Sequence, residues 1–166
     1  MLSFLFARME MDEIESHELH SLYNHYQVQF EGQNTQVELL ESYFENHTDQ
    51  IEESEFVDIV SNFETNEAFI YVALDHSSLT EFVYPFDLYH IDKMLGVNIM
   101  EEATPHQRNE LLEAIDSREI VYQYEFTNDE ITTLFIRKAL FIDDEFYGFL
   151  TLALDPELLG DSFTGF

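Results

Sequence analysis

The first quarter of the chain has the hydrophobic spacing of an α-helix. Apolar side chains recur three, four or seven residues apart, which places them on one stripe of a helix. The stripe consists of Leu22, Tyr26, Phe30, Val37, Leu40, Phe44 and Ile51. Gly32 is the one breaker, and a single glycine costs about 1 kcal/mol without ending a helix. We therefore predict a helix over residues 8–47, roughly 60 Å long at about 1.5 Å per residue.

A second stripe, made of Phe56, Ile59, Val60 and Phe63, predicts a short helix over residues 52–63. From Phe69 onward the pattern changes to the alternation typical of strands. It predicts strands over residues 69–74, 79–84, 120–126, 131–141 and 146–154, with residues 75–78 as a turn. Pro85 ends the second strand because proline has no backbone N–H to donate.

The segment between the second and third strands is predicted to be partly helical. One helical turn is expected around residues 90–95, followed by Gly96. Thr104 and Pro105 then have the order of a helix cap and first helical residue. We predict a helix over residues 104–117, with Leu111, Leu112 and Ile115 facing inward, and a last short helix over residues 155–159.

These elements predict an α+β fold in which a long N-terminal helix packs on a five-stranded antiparallel, PAS-like sheet. We divide the chain into residues 1–65, the stalk helix with the short helix, and residues 66–166, the sheet domain, within one structural unit. The stripe on the long helix also predicts a parallel homodimer.

Composition narrows the classes of function. The 166 residues carry 35 acidic and six basic side chains, a formal net charge of -29, which disfavours binding to nucleic acid and to anionic membranes. The acids are spread along the chain, so we interpret them as an adaptation to a saline, halophilic or marine medium; mimicry of nucleic acid is the weaker alternative. There is no cysteine, which excludes disulfides and thiolate chemistry.

The N-terminus leaves two interpretations open. Residues 1–7 are largely apolar and Arg8 begins a charged run, but seven residues cannot span a bilayer, which takes about 20. They are either the end of a transmembrane helix or an ordinary hydrophobic cap.

Several short segments resemble one family when their order is considered together. They are Phe69-Ile70-Tyr71-Val72-Ala73-Leu74-Asp75, Phe82-Val83-Tyr84-Pro85-Phe86, Leu95-Gly96-Val97-Asn98-Ile99, Glu113-Ala114-Ile115, Ile136-Arg137-Lys138-Ala139-Leu140-Phe141 and Phe146-Tyr147-Gly148-Phe149. In this order they resemble the CHASE-type extracytoplasmic sensor domains, within the PAS-like Cache or PDC group. The chain departs from the family pattern at Tyr89, at residues 121–124 and at Ala139, so the resemblance implies no particular ligand.

The resemblance implies the extracytoplasmic, periplasmic or extracellular, sensing domain of a membrane-anchored receptor. The expected partner is an unknown small molecule, whose signal the long helix transmits. Transmembrane helices are expected on both sides of the domain. A histidine kinase, diguanylate cyclase or chemotaxis-type module is expected beyond Phe166. No cofactor is implied.

Candidate ligand-binding residues lie in the sheet half of the chain. Tyrosines there offer apolar rings with a polar tip, which suits a pocket wall. Alternation places Arg137 on one strand face with Thr133 and Phe135, where it either pairs with a neighbouring carboxylate or presents a donor fork to an anionic ligand. The predicted ligand-binding residues are Tyr84, Tyr89, Tyr122, Tyr124, Thr133, Arg137 and Tyr147.

No catalytic or metal-binding constellation is predicted. His17 and His20 are three residues apart, whereas zinc-protease helices need histidines four apart. The many carboxylates do not single out an acid–base pair. Two alternatives to a sensor remain: a non-catalytic dimerisation module without a ligand, and an acid-type hydrolase.

Overall fold

The computed structural model describes residues 31–46, 50–62, 68–85, 91–128 and 130–158. The predicted helix before residue 31, the side chain of Phe63, the candidate Tyr89 and the end of the last predicted helix lie outside these residues.

Two helices form one layer of the fold. Helix α1 is Glu31–Glu45 and helix α2 is Glu53–Val60, which agrees with the predicted helices over the described part of each. The predicted stripe is the buried face: Val37, Leu40 and Phe44 of α1 are at most 2% exposed. Phe44 stacks on Phe56 of α2 with ring centroids 6.0 Å apart, so the stripe joins the two helices to one core.

Five antiparallel strands form the second layer and confirm the predicted fold class. They are β1 Phe69–His76, β2 Leu79–Tyr84, β3 Val121–Thr127, β4 Glu130–Ile142 and β5 Glu145–Leu154. Their order across the sheet is β2-β1-β5-β4-β3, so the two terminal strands of the sheet domain pair at its centre. The boundary between residues 65 and 66 stays a prediction; helices and sheet share one hydrophobic core.

Three helices between β2 and β3 cover the other face of the sheet. They are α3 Ile91–Met94, α4 Ile99–Glu102 and α5 Pro105–Ser117. The cap predicted at Thr104 is confirmed, and the structure adds a reciprocal hydrogen bond from Gln107 that completes a capping box. Helix α4 was not predicted; Asn98 initiates it by accepting hydrogen bonds from the backbone N–H groups of the first turn.

The sequence predictions were wrong at three places. Strand β1 runs on through Asp75, which the composition had assigned to a turn; only Ser77 and Ser78 make the turn. Leu112 of α5 is 49% exposed rather than inward, because the buried stripe of this short helix holds Leu111 and Ala114. Residues 156–158 form a turn, not the start of a helix.

Strand alternation divides the sheet into two faces. On β4, Leu134, Ile136 and Leu140 pack into the core beneath α1 and α2. Ala139 of the same strand packs with Leu111 of α5 on the opposite face. Because successive side chains of a strand point to opposite faces, each strand here serves both helix layers.

Gly148 of β5 lies where two strands approach most closely. A Cβ atom at this position would collide with the backbone carbonyl of Asp75, and backbone atoms cannot swing aside as a flexible side chain can. The β1–β2 hairpin can therefore lie this close to β5 only because residue 148 has no side chain.

We predict that Gly148→Ala lowers the free energy of unfolding by about 1–3 kcal/mol, the usual cost of overpacking. The matched control is Gly32→Ala on α1, where an added Cβ meets nothing within 4 Å. That control should raise stability by up to about 1 kcal/mol through helix propensity. Urea denaturation of both variants measures the difference; equal effects at the two glycines would contradict the close approach.

Candidate functional site

A cavity of about 350 Å³ lies between the sheet and its α3–α5 cover. All five strands and all three covering helices contribute to its wall. The lining residues are Tyr71, Ala73, Asp75, Thr80, Lys93, Met94, Val97, Ile99, Glu102, Ala103, Gln107, Leu111, Gln123, Tyr124, Glu125, Phe135, Arg137 and Thr151. This volume suits a small metabolite rather than a peptide.

Asp75 is the most buried charged residue of the cavity. Its side chain is 1% exposed and its Oδ2 atom has no hydrogen-bond partner within the described part of the chain. Burial raises the pKa of this carboxyl to about 7, against the lowering effects of the Arg137 charge and of a hydrogen bond from Thr80. A buried carboxyl with a vacant oxygen is a ready acceptor for a ligand donor.

A β-bulge brings Thr80 to Asp75. The register of β1 and β2 pairs Leu74 with Phe82 and Asp75 with Thr80, so Glu81 is an extra residue on β2. The bulge turns Thr80 toward the cavity, where it lies opposite Asp75 and is 7% exposed. Without the extra residue, strict alternation would keep Thr80 on the same face as Phe82.

Arg137 of β4 supplies a cation to the same cavity. Its guanidinium carbon lies 4.6 Å from the centroid of the Phe135 ring, a cation–π contact along the strand. Its Nε is closed off from solvent and has no hydrogen-bond partner among the described residues. Burial lowers the pKa of Arg137, which the Asp75 charge opposes, and a guanidinium remains protonated under all ordinary conditions.

Asp75 and Arg137 line the same cavity but do not form an ion pair in the described structure. The register explains their separation. Ala73 pairs with Thr151, which in turn pairs with Arg137, so the full width of β5 lies between β1 and Arg137. Because the two groups are held apart, the Arg137 donor and the Asp75 acceptor remain available to a single bound molecule.

The rest of the wall is aromatic and amide-rich. The ring of Tyr71 lies 6.5 Å from that of Phe135, and burial raises the pKa of its hydroxyl to about 12, so it stays neutral. Gln123 is 4% exposed, and its Nε2 donates to the backbone oxygen of Gln107 at 3.0 Å, which ties β3 to α5.

The cover is attached to the free edge of β2. The Thr80 backbone donates to Val97 at 2.9 Å and accepts from Gly96 at 2.8 Å. Gly96 takes a positive φ of 78° to make this connection, a conformation that favours glycine. Arg108 of α5 donates from Nε to the backbone oxygen of Met100 at 2.9 Å, which holds α4 against α5. Thr80 therefore contacts both the cover and Asp75.

Two of the seven predicted ligand-binding residues are among the lining residues, Arg137 and Tyr124, although Tyr124 also packs with Tyr122 in the core beneath α1 and α2. Thr133 lies on β4 opposite Glu125 and is not among the lining residues. Tyr84 packs against the core beneath the helices.

Two further candidates point to the helix layer. The Tyr122 hydroxyl donates to Asn34 Oδ1 of α1 at 2.9 Å. The Tyr147 hydroxyl accepts from the Ile51 N–H at 3.2 Å, and its ring stacks on His76 with centroids 4.7 Å apart. These two tyrosines connect the sheet to the helices rather than to the cavity.

Sequence reasoning missed most of the lining residues, including all those of the cover and those of β1 and β5. Asp75 was assigned to a turn, yet Tyr71, Ala73 and Asp75 continue the period-two pattern and all line the cavity. That spacing was the available signal for Asp75. A second signal was Thr151, a polar residue within an otherwise apolar strand, which the structure shows to be 3% exposed.

Strand β4 links the cavity directly to α1. The residue after Arg137 is Lys138, whose Nζ donates to Glu41 Oε1 of α1 at 2.7 Å, with both side chains about 15% exposed. Burial raises the pKa of Glu41, and Lys138 opposes that shift. The Phe141 N–H also donates to Glu45 Oε1 at 3.1 Å, so α1 has two polar anchors on this strand.

Neither a metal site nor a membrane span is evident in the described segments. They hold no group of three or more histidine, aspartate or glutamate side chains that could bind a metal ion. None of their helices is long and apolar enough to cross a bilayer.

Solved structures share this architecture. The ligand-binding domain of the amino-acid chemoreceptor PctC of Pseudomonas aeruginosa PAO1, in complex with GABA, superposes with a TM-score of 0.54 and 17% identity, covering 83% of this chain and 57% of that one. An extracellular ligand-binding receptor of Desulfohalobium retbaense DSM5692 superposes with a TM-score of 0.58 and 11% identity, covering 87% of this chain and 25% of that one. The chain therefore shares its fold with these two ligand-binding domains.

At such low identities the likeness concerns the fold alone, and the chain spans only about half and a quarter of the two proteins. No family model and no curated protein matches the chain. The resemblance to the CHASE type specifically therefore stays a prediction.

We predict that the Lys138–Glu41 pair stabilises the attachment of α1. Lys138→Met leaves a mostly buried Glu41 without its partner and should lower the free energy of unfolding by about 1–3 kcal/mol. Adding Glu41→Gln should recover part of that loss in a double-mutant cycle.

The matched control is the Arg118–Asp144 pair, which has the same 2.7 Å separation but is 50% and 85% exposed. Asp144→Asn should cost less than about 1 kcal/mol because solvent screens the pair. Urea denaturation measures each loss, and equal losses for Lys138→Met and Asp144→Asn would contradict a larger contribution from the Lys138–Glu41 pair.

Proposed function

We propose that the chain is the extracytoplasmic ligand-sensing domain of a membrane-anchored receptor, and that its ligand is a small zwitterion. The observation that carries the proposal is that Asp75 and Arg137 both line one cavity and that each has a buried side-chain atom, Oδ2 and Nε, without a hydrogen-bond partner among the described residues. A ligand that pairs with both residues offers a hydrogen-bond donor, preferably cationic, to Asp75 and an acceptor, preferably anionic, to Arg137. An amino acid has both groups.

Charge at the surface supports a ligand with no net negative charge. The whole chain carries -29, which repels an approaching anion, whereas a zwitterion or a cation meets no such barrier. Among the lining residues the charge is more balanced, because Lys93 and Arg137 stand against three acids, Asp75, Glu102 and Glu125. One fold neighbour, the PctC domain, was solved with GABA, which is itself a zwitterion.

A binding role accounts for the cavity better than either alternative. A dimerisation module without a ligand gives no reason to bury Asp75 and Arg137 with vacant hydrogen-bonding atoms, since each such atom costs about 1–3 kcal/mol. For an acid-type hydrolase, Glu102 and Glu125 at the exposed rim would have to act with Asp75, and the fold neighbours are receptor domains.

The proposed signal passes along β4. A ligand that binds Arg137 contacts strand β4. The next residue of that strand, Lys138, forms a salt bridge with Glu41 of α1. The ligand changes the position of α1 only if it favours one of two arrangements of strand and helix. Flanking transmembrane helices and a signalling module beyond Phe166 belong to the proposal, as the means of anchoring and output.

We also propose a parallel homodimer through α1, but not through the stripe that predicted it, because Val37, Leu40 and Phe44 of that stripe are buried within the protomer. Leu39 and Tyr43 lie one helical turn apart on the solvent side of α1 and are 50% and 55% exposed. A second copy of the helix would cover this apolar pair while the opposite face of α1 keeps its contacts with the sheet.

We predict that GABA, or an α-amino acid in its place, raises the melting temperature of the domain, while butyrate and butylamine, which have one charge each, do not. Saturation at 100 times Kd should add about 2.7 kcal/mol of stability. Asp75→Asn and Arg137→Gln should each weaken binding at least about tenfold, because each loses one charged contact.

The control for these variants is Tyr147→Phe, which removes one hydroxyl on the helix face of the sheet. Its affinity should equal that of the wild type in calorimetric titrations. Amino acids that bind Asp75→Asn and Arg137→Gln as tightly as the wild type, or no response to any zwitterion, would refute the proposed ligand class.

For the dimer, we predict that Leu39→Glu with Tyr43→Glu gives a monomer at concentrations where the wild type sediments as a dimer. Measurements need high salt to screen the charge of the two copies. Leu112→Glu, at an equally exposed leucine of α5, is the control and should still dimerise. A wild type that stays monomeric at the highest attainable concentration would contradict the dimer.

A further inference from the structure

Asp75 lies in a place where a negative charge lacks support. Its carboxyl is 1% exposed, receives one hydrogen bond, from Thr80, and leaves Oδ2 without a partner in the described structure. An ionised carboxylate needs several donors or a close cation to remain ionised away from water. The ligand-free cavity supplies neither at Oδ2.

The charged groups around Asp75 do not remedy this. Arg137 on β4 faces it beyond ion-pair distance, and Tyr71 on its own strand is neutral. The remaining charged lining residues are exposed at the cavity mouth: Lys93 on α3, Glu102 on α4 and Glu125 on β3. The lining residues of β2, β5 and α5 are uncharged.

Burial of Asp75 shifts the ionisation of its carboxyl toward the protonated form. Burial raises the pKa of its carboxyl from 3.8 to about 7. The ligand-free domain therefore holds a proton on Asp75 in weakly acidic solution, and the carboxyl is then neutral.

We propose that binding of a cationic group in this cavity displaces the proton of Asp75, so that the domain responds to pH as well as to its ligand. The inference rests on the proposed function. In the bound state an ammonium group supplies the missing donor to Oδ2, and the carboxyl proton passes to solvent. One proton leaves for each ligand bound, with no covalent bond to the ligand formed or broken. Affinity should fall about tenfold for each pH unit below the titration of Asp75 and level off above it.

The titration of Asp75 also makes the stability of the ligand-free domain depend on pH. Between the unfolded and folded pKa values, 3.8 and about 7, the folded chain binds more protons than the unfolded chain. The contribution of Asp75 to stability is thus full below this window and falls as pH rises through it. Asp75→Asn lacks this decline.

The first experiment is urea denaturation of the ligand-free domain from about pH 4 to pH 8. Relative to Asp75→Asn, the wild type should lose stability steadily as pH rises and then level off. Thr80→Val removes the hydrogen bond that favours the ionised form and should move the levelling point to higher pH. Glu113→Gln removes an exposed acid outside the cavity and should keep the wild-type profile. Parallel profiles for the wild type, Asp75→Asn and Thr80→Val would overturn the proposal.

The second experiment titrates GABA calorimetrically across the same pH range, in buffers of different ionisation enthalpy. The wild type should release about one proton per GABA below pH 7 and none well above it. A Kd unchanged from about pH 5.5 to about pH 8, with no proton released, would overturn the coupling and leave the proposed function standing. Failure of GABA and α-amino acids to bind at any pH would refute the proposed ligand class, and proton-coupled binding with it, whatever the first experiment shows.

Discussion

The sheet is covered on both faces, and this constraint determines where everything else lies. Helices α1 and α2 cover one face and α3–α5 the other, so each strand must present suitable side chains in both directions. On the α1 side the strands supply a continuous apolar core. On the other side the described apolar residues gather in a smaller cluster around Leu111 and Phe149. The cavity is the part of that face which the cover spans without filling.

Within that gap the sheet places two opposite charges apart from each other. Such a pair would gain by closing, since buried charges are costly when unpaired. The width of β5 separates β1 from Arg137, and the cation–π contact with Phe135 directs the guanidinium along its own strand. Among the described residues, Asp75 and Arg137 each therefore lack an oppositely charged partner. A zwitterionic ligand would provide one to each. Because Lys138 follows Arg137, the same strand also carries the attachment of α1.

Regular periodicity made the fold predictable from the sequence, and local irregularities concealed part of the site. The helical stripe of α1 and the alternation of β4 were correct, including Phe135 and Arg137 on one face. Asp75 was missed because its neighbours have the composition of a turn. Its position opposite Thr80 depends on a bulge at Glu81, which no residue pattern announces. A second bulge makes Tyr147 the extra residue of β5, and its ring packs with the helix-side core rather than in the cavity.

A crystal structure of the domain grown with a saturating zwitterion, GABA or an amino acid that stabilises it in solution, tests the central claim most directly. We expect one ligand in the cavity, with its ammonium group within hydrogen-bonding distance of Asp75 Oδ2 and its carboxylate at Arg137 Nε. A ligand bound on the α1 side of the sheet, or a cavity that stays empty at saturation, would contradict the account.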